Sequence, residues 1–500
     1  MKRSRLDLRF ELLAARFASV LFCLLVAGVS AALAADWPQL QGNAARTGRT
    51  TDSLAPPYRM KWAWMGPGNT QTTLPLSGGS AITIAGRAQP VIAAGRVFIG
   101  TMESSAHAIN ASTGQTLWSA SIPGGTLSSA AVNGSVVVFV TLKGGVYGFD
   151  VATGNSVWSY DSGYAITAAP CIESNRVYVA NHHGDVIALD AASGALLWSR
   201  RVSAPVDGDL AADATAVYVP AENMYVYAIG AMTGTITAQH RVVGQSFQGT
   251  NAVVFNGKLW VTSAPGVAKG SEYDFETVLG GVTSLAQEET VIGQFLNGDT
   301  VNGGSDASID WRHYFALNLP DLSEPFVILA GPSEGTGHPP DSMVVDNSNR
   351  VLAYFKTRFP TFTSPNGSVF GTAYSQDIAA VDQTNGHRIQ INNGRLANNW
   401  PWETDNLYHM TVAGNYLWLH QWFRGTQQIL LTNSTYRLVQ ASMTNQDGGD
   451  FSSADIIYVN GTNVPRPSTG QPYTDSSRGV AVSGTQVYIS ESFGVVAIGQ

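Results

Sequence analysis

The chain has 500 residues, of which 44% are hydrophobic and only 13% charged, with 52 glycines and a formal net charge of −8. That balance, without a basic cluster, excludes a grip on phosphate backbones and suits a β-rich globular protein. Two cysteines, Cys23 and Cys171, and the absence of C-x-x-C-H exclude a disulfide framework and covalently attached c-type haem.

Residues 1–34 read as a secretory signal. Lys2, Arg3, Arg5, Arg9 and Arg16 make a basic start, FASVLFCLLVAGV (17–29) an apolar core, and Ala32-Leu33-Ala34 a small-residue cleavage site. The apolar run is short for a bilayer span. Cys23 follows Phe22 and lacks the small residue of a lipoprotein box, so no lipid anchor is expected. Cleavage near Ala34 predicts a periplasmic or secreted mature protein, residues 35–500, more acidic than its precursor.

From residue 88 the text repeats every forty residues. Gly114, Gly154, Gly194 and Gly234 keep one spacing inside AINASTGQTLW, GFDVATGNSVW, ALDAASGALLW and AIGAMTGTITA. Each copy holds four short apolar strands divided by Gly- and Asn-bearing turns, the unit of a β-propeller blade. We label these strands A to D, from the channel outward. Clear copies occupy 88–122, 128–162, 168–202 and 209–243. A fifth runs from Asn251 through KLWVTS to HYFALNLPDLSEPFVIL, a sixth through DSMVVDNSNRVLAYF and IAAVDQTNGHRIQI, and a seventh through HMTVAGNYLWLHQW and QILLTNSTYRLVQ. The eighth ends at GVVAIGQ, one strand short. RMKWAW (59–64) is an orphan strand D whose pairing with that end closes the ring and hides an edge. The fold class is therefore an all-β, eight-bladed propeller in a single domain, 35–500, with seven blades as the alternative.

Chain direction puts A–B and C–D turns on one face and B–C and D–A connections on the other. The long segments 65–87, 265–310, 331–340, 356–377, 392–407 and 443–477 all fall on the second kind, predicting a cap over one mouth of the channel. Its principal pieces are 265–310, 356–377, 392–407 and 443–477. Trp311, Phe370, Trp400, Trp402 and Trp422 can stack on sugars or apolar side chains, and Arg312, Arg358 and Arg424 can meet carboxylates. Asp207, Asp209, Asn251, Asp341, His409 and Arg478 begin strand A and should ring this mouth.

Each candidate has a plainer reading. Asp207 and Asp209 organise a turn, His409 is a satisfied polar residue, and Trp400-Pro401-Trp402 is the cap's own core. His182-His183 sits in a tight B–C turn without metal-ligand spacing. NGDTVNGGSD (297–306) and NQDGGD (445–450) are oxygen-rich but fit no EF-hand pattern, and solvated loop is the favoured reading. No nucleophile elbow, phosphate loop or zinc-protease motif occurs, and Asn-x-Ser/Thr at Asn110, Asn133, Asn366, Asn433 and Asn460 arises readily in Asn-rich turns. No catalytic residue and no metal ligand is assigned.

The A-x-D-x-x-T-G-x-x-x-W pattern resembles the PQQ-like, or quinoprotein repeat, propeller family. Ala188, Asp190, Gly194 and Trp198 match it. Asp150, Thr153, Gly154 and Trp158 match with Gly148 for Ala, and Asn110, Thr113, Gly114 and Trp118 with Asn for Asp. WPQLQGNAARTG (37–48) resembles the N-terminal signature of exported members. The resemblance is strong over 37–245, and it implies that Trp118, Trp158 and Trp198 dock between blades. It also implies one of two functions. Quinoprotein dehydrogenases of alcohols or sugars hold PQQ and calcium and use an Asp base, for which Asp207, Asp209 or Asp341 would serve. BamB-like propellers are non-enzymatic scaffolds. No Cys-Cys pair and no residue-by-residue match to the Glu/Asn/Asp calcium set is present, so the expectation is a non-catalytic binding scaffold without cofactor. It would act as a monomer on an envelope or extracellular protein, or on a glycan, at the capped face.

Overall fold

The computed structural model describes residues 35–55, 58–73, 76, 80–264, 278–297, 299, 301, 312–330, 342–357, 362–363, 369–370, 375–389, 407–421, 425–431, 435–440 and 479–500. The chain divides into two units, 1–35 and 36–500, and the first contributes only Ala35 to the described residues.

The second unit is an all-β propeller of eight blades. Blade one comprises A Val91–Ala93, B Arg96–Gly100, C Ser105–Asn110 and D Thr116–Ser121. Blades two to four repeat it over Ala131–Asp161, Cys171–Arg201 and Ala211–Arg241, each an antiparallel four-stranded sheet. In all four, strand C meets D through a register shift at the same place, after Ala108, Gly148, Ala188 and Ala228. Such a bulge sharpens the local twist, and here it turns the outer strand the same way in each copy.

Past blade four the sheets are less regular. Blade five has three strands, Val253–Phe255, Lys258–Thr262 and Tyr314–Asn318, and a single bridge from Phe315 to Val327 where a fourth was expected. Blade six has strands Val344–Val345, Val351–Thr357, Ser375–Val381 and Arg388–Ile389. Blade seven runs from Leu407 to Gln440 and gains a parallel fifth strand, Arg49–Thr50, from the N-terminal arm. Blade eight joins Val480–Ser483, Gln486–Glu491 and Gly494–Gly499 to Arg59–Trp64, which pairs antiparallel with the last of these from Arg59↔Gly499 to Trp64↔Val495.

The A strands of neighbouring blades touch one another and therefore line the centre. Burial follows the blade order. Strand B of blade two, Val136–Val140, is wholly buried, while strand D alternates, as in Ser156–Asp161 with Trp158 inward. The apolar core consists of layers between consecutive blades. Phe98 and Trp118 pack with Val137 and Phe139 between blades one and two, and Trp62 and Trp64 with Val97 and Ile109 between eight and one. No helix among the described residues is long and apolar enough to cross a membrane.

Candidate functional site

The centre of the ring is occupied by the protein's own N-terminal arm, residues 36–52. It visits the inner strand of every blade in order. Trp37 exchanges backbone bonds with Ile92 (2.8 and 2.9 Å), and the Pro38 carbonyl accepts from Val132 N–H (2.7 Å). The Gln39 side chain bonds both the N–H (2.9 Å) and the carbonyl (3.0 Å) of Ile172. The carbonyls of Ala44, Ala45, Thr47 and Gly48 then accept from Ala212, Val254, Val345 and Val412, and the Asp52 carboxylate takes the Gly484 N–H in blade eight. Arg46 lies at the middle with no exposed surface. Its guanidinium donates to the carbonyls of Leu40 (2.7 Å), Leu210 (2.8 Å) and Pro170 (3.0 Å). Buried backbone groups must find partners, and here the arm and the inner strands satisfy each other.

At the face carrying B–C and D–A connections, the residues opening strand A form a belt between blades. Gln89 N–H donates to Ser129 Oγ (2.8 Å), Ala169 N–H to Asp209 Oδ1 (2.5 Å) and Asn251 N–H to Ser342 Oγ (2.7 Å). Gln89 Nε2 reaches back to the Val480 carbonyl at 2.8 Å. Asp209 and Asn251 lie at the inner ring and are buried, with 2% and 1% of their surface exposed. They stitch blades together.

Asp207 lies one layer further out. Thr167 Oγ1 donates to its Oδ1 at 2.6 Å, His182 Nε2 lies 2.7 Å from the same oxygen, and Arg87 Nη2 donates to its backbone carbonyl at 2.6 Å. Arg87 precedes blade one and Asp207 precedes blade four, so this contact crosses the mouth. Glu222 beside them accepts the Phe247 N–H at 3.0 Å. Burial pushes its carboxyl pKa up, with Asp207 adding to the rise and Arg87 opposing it. On the outer side of blade three, Tyr164 stacks on His183 with ring centroids 4.2 Å apart, His183 Nδ1 lies 2.8 Å from Asp185, and Arg201 contacts the same imidazole.

The sequence reading does not single out Arg87, Tyr164 or Glu222, and it treats His182-His183 as a simple turn. A signal exists for three of them. Arg87, Leu127, Thr167 and Asp207 hold one position of the forty-residue period, and Met102, Leu142, His182 and Glu222 hold another. The two series are the D–A and B–C connections of one face.

Arg312 is spent on structure. It pairs with Glu324 and lies 4.8 Å from the centre of the Phe315 ring, and burial brings its pKa down to about 10. Trp311, Asp341, Trp400, Trp402, Trp422, Arg424 and Arg478 lie outside the described residues, as do Arg358 and the side chains of Phe370 and His409. Of the insertion 265–310, the described part is chiefly the helix Leu285–Leu296, capped by Ser284, which accepts the Gln287 N–H. Ile292, Phe295 and Leu296 pack with Val327 and Leu329. Glu289 accepts the Arg388 N–H at 2.9 Å and lies 3.1 Å from His387 Nδ1. The helix thus rests on Val327 and Leu329 of blade five and on Arg388 in the outer strand of blade six. Segments 392–406 and 443–477, and most of 356–377, lie outside the described residues.

Among the described residues no three His, Cys, Asp or Glu side chains converge in a way that would hold a metal ion.

Residues 62–264 match the family model described as outer membrane protein assembly factor BamB. No curated protein matches the sequence. Among solved structures the chain is similar to BamB from Moraxella catarrhalis, at 13% identity and TM-score 0.50, covering 84% of this chain and 98% of that one. It is similar to the quinohemoprotein alcohol dehydrogenase of Comamonas testosteroni at 12% identity and TM-score 0.51, covering 93% and 80%. It is also similar to the computationally designed Ika8 protein, at 11% identity and TM-score 0.50, covering 85% and 98%. At these identities the likeness is one of fold.

Proposed function

We propose that this PQQ-like propeller is an exported, non-catalytic scaffold that binds an envelope or extracellular protein at the face formed by its B–C and D–A connections. The observation that carries this reading is how the acidic groups at that mouth are used. Asp209 is buried and engaged by a neighbouring blade, and Asp207 is held by Thr167 and His182. A general base must lie within reach of a substrate proton, and Asp209 is only 2% exposed. Residues committed to holding blades together supply a rigid platform instead. Tyr164 on His183, with Arg201 and Asp185 beside them, offers a half-exposed patch of aromatic and charged groups, of the kind enriched at protein contacts.

The test is a photo-crosslinking amino acid placed at Tyr164, on this face, and at Met232, an exposed residue on a C–D turn of the opposite face. The expected outcome is one discrete crosslinked protein from position 164 and none from 232. A saturable rise in melting temperature that requires PQQ with calcium, over calcium alone, would overturn the reading in favour of a quinoprotein dehydrogenase, because a ligand bound only by the folded state must stabilise it.

A further inference from the structure

The other mouth of the ring holds a concavity that no part of the proposed function uses. Its volume is about 680 Å³, within the range of small-ligand sites. The arm residues Asn43–Thr51 form its floor, and A–B turns of blades three, four and six form its walls through Glu173, Asp213, Asn347 and Asn349. The floor is fixed from both sides. Arg46 anchors it to three carbonyls, and Asn347 Nδ2 clamps the carbonyls of Thr50 (2.9 Å) and Gly414 (2.8 Å).

The charged groups here are largely consumed. Asp213 Oδ1 accepts the N–H (2.7 Å) and hydroxyl (2.6 Å) of Thr215 and the N–H of Ala216 (2.9 Å), while its Oδ2 accepts the Tyr218 hydroxyl (2.9 Å). Arg49 donates to the Asp346 carbonyl and to Asn349 Oδ1, both at 2.8 Å, and lies 5.3 Å from the centre of the Phe255 ring. What remains for a ligand is the Nδ2 of Asn349, the Oδ1 of Asn347, the exposed Thr51 hydroxyl, the second oxygen of Glu173 and the Nε and Nη2 donors of Arg49. Planar amides and a carboxylate at a rim are matched by neighbouring hydroxyl groups, each of which both donates and accepts. Two carboxylates, Glu173 and Asp213, against the single guanidinium of Arg49 leave the lining net negative in an acidic chain, which disfavours an anion.

We propose that this pocket binds a short neutral oligosaccharide, on the face opposite the protein-binding one. A pre-formed floor lowers the ordering cost of binding. The test titrates the purified protein by calorimetry with maltotriose, cellotriose and triacetylchitotriose separately, alongside Thr51→Trp, which fills the mouth from an exposed position, and Lys143→Ala, exposed in the B–C turn of blade two on the opposite face. Saturable binding of one trisaccharide, weakened about tenfold or more by Thr51→Trp and unchanged by Lys143→Ala, is expected. Glu173→Ala should weaken the same ligand, which keeps the test independent of how Thr51→Trp folds. Absence of binding by all three sugars at millimolar concentration, or equal binding by wild type and Thr51→Trp, overturns the proposal.

Discussion

The indole of Trp118 covers Gly154 of the next blade, with its Nε1 donating to the Val151 carbonyl at 3.1 Å. A Cβ on Gly154 would fall 2.6 Å from Trp118 Cδ2, and the residue has φ +73°. Trp62, Trp158 and Trp198 make the same contact with Gly114, Gly194 and Gly234, each indole donating to a carbonyl of the following blade. The Gly–Trp spacing in the sequence is thus the record of an interblade lock. Gly154→Ala meets both the indole and the left-handed backbone, whereas Gly134→Ala, at φ +57° with nothing near its Cβ, meets only the backbone. We expect the second to cost about 1 kcal/mol in urea denaturation, as left-handed alanine does, and the first about 2–4 kcal/mol.

The same lock explains what the sequence makes legible. Blades one to three each present a Trp to the next Gly, so their text is held constant. In blade four Ala238 stands where the Trp would be, and blade five has only the Phe315–Val327 bridge in place of its outer strand. With no partner to fit, the motif fades there, although strand rhythm still carries the count to eight. The mouth is half legible. Asp207, Asp209 and Asn251 can be placed from strand order, but that Arg87 reaches Asp207 depends on ring closure, which brings positions 120 residues apart together. The arm is only partly legible: 37–48 reads as an N-terminal signature, but its course through the ring rests on backbone carbonyls of Pro38, Ala44, Ala45, Thr47 and Gly48, which leave no side-chain pattern.

Arg46 is the residue on which the arm depends. Its guanidinium satisfies three carbonyls from 40, 170 and 210 in a fully buried site. Arg46→Met leaves those acceptors without a donor, and a buried unsatisfied polar group costs about 1–3 kcal/mol. We expect a loss of about 3 kcal/mol or more, with faster amide exchange through 37–50. Arg46→Lys should recover only part of it, since one ammonium cannot span the fork of three acceptors. Wild-type stability in either variant would mean that the arm is not held at its centre.

Glu289 ties the inserted helix to blade six through the Arg388 N–H and His387. The helix also pairs Glu288 with Arg388, buried at 3.9 Å, and rests on a small apolar cluster with Val327 and Leu329. Glu289→Ala should therefore loosen Leu285–Leu296 locally, raising its amide exchange by about tenfold, while the global melting temperature stays close to wild type. A large fall in melting temperature would instead make the insertion an integral part of the ring.

His107 sets a predictable acid limb. It is buried in strand C of blade one, between Ser105 Oγ and Ser119 Oγ at 2.8 Å each, with the Trp64 ring centre 5.1 Å away. Burial lowers its pKa from 6.5 to about 4, against a smaller opposing pull from Glu103. The folded state therefore keeps this imidazole neutral where the unfolded chain protonates it. Stability from this group is complete above pH 6.5, falls as the pH drops from 6.5 towards 4, and is level below that. Each pH unit between the two pKa values costs about 1.36 kcal/mol, so the loss across the whole window is about 3 kcal/mol. His107→Gln keeps hydrogen-bonding capacity without the titration. In urea denaturation the wild type should lose about 2–3 kcal/mol more than His107→Gln between pH 7.5 and 4.5, whatever the fixed cost of the substitution. Parallel stability curves for the two proteins across that range would show that the imidazole is not held neutral in the fold.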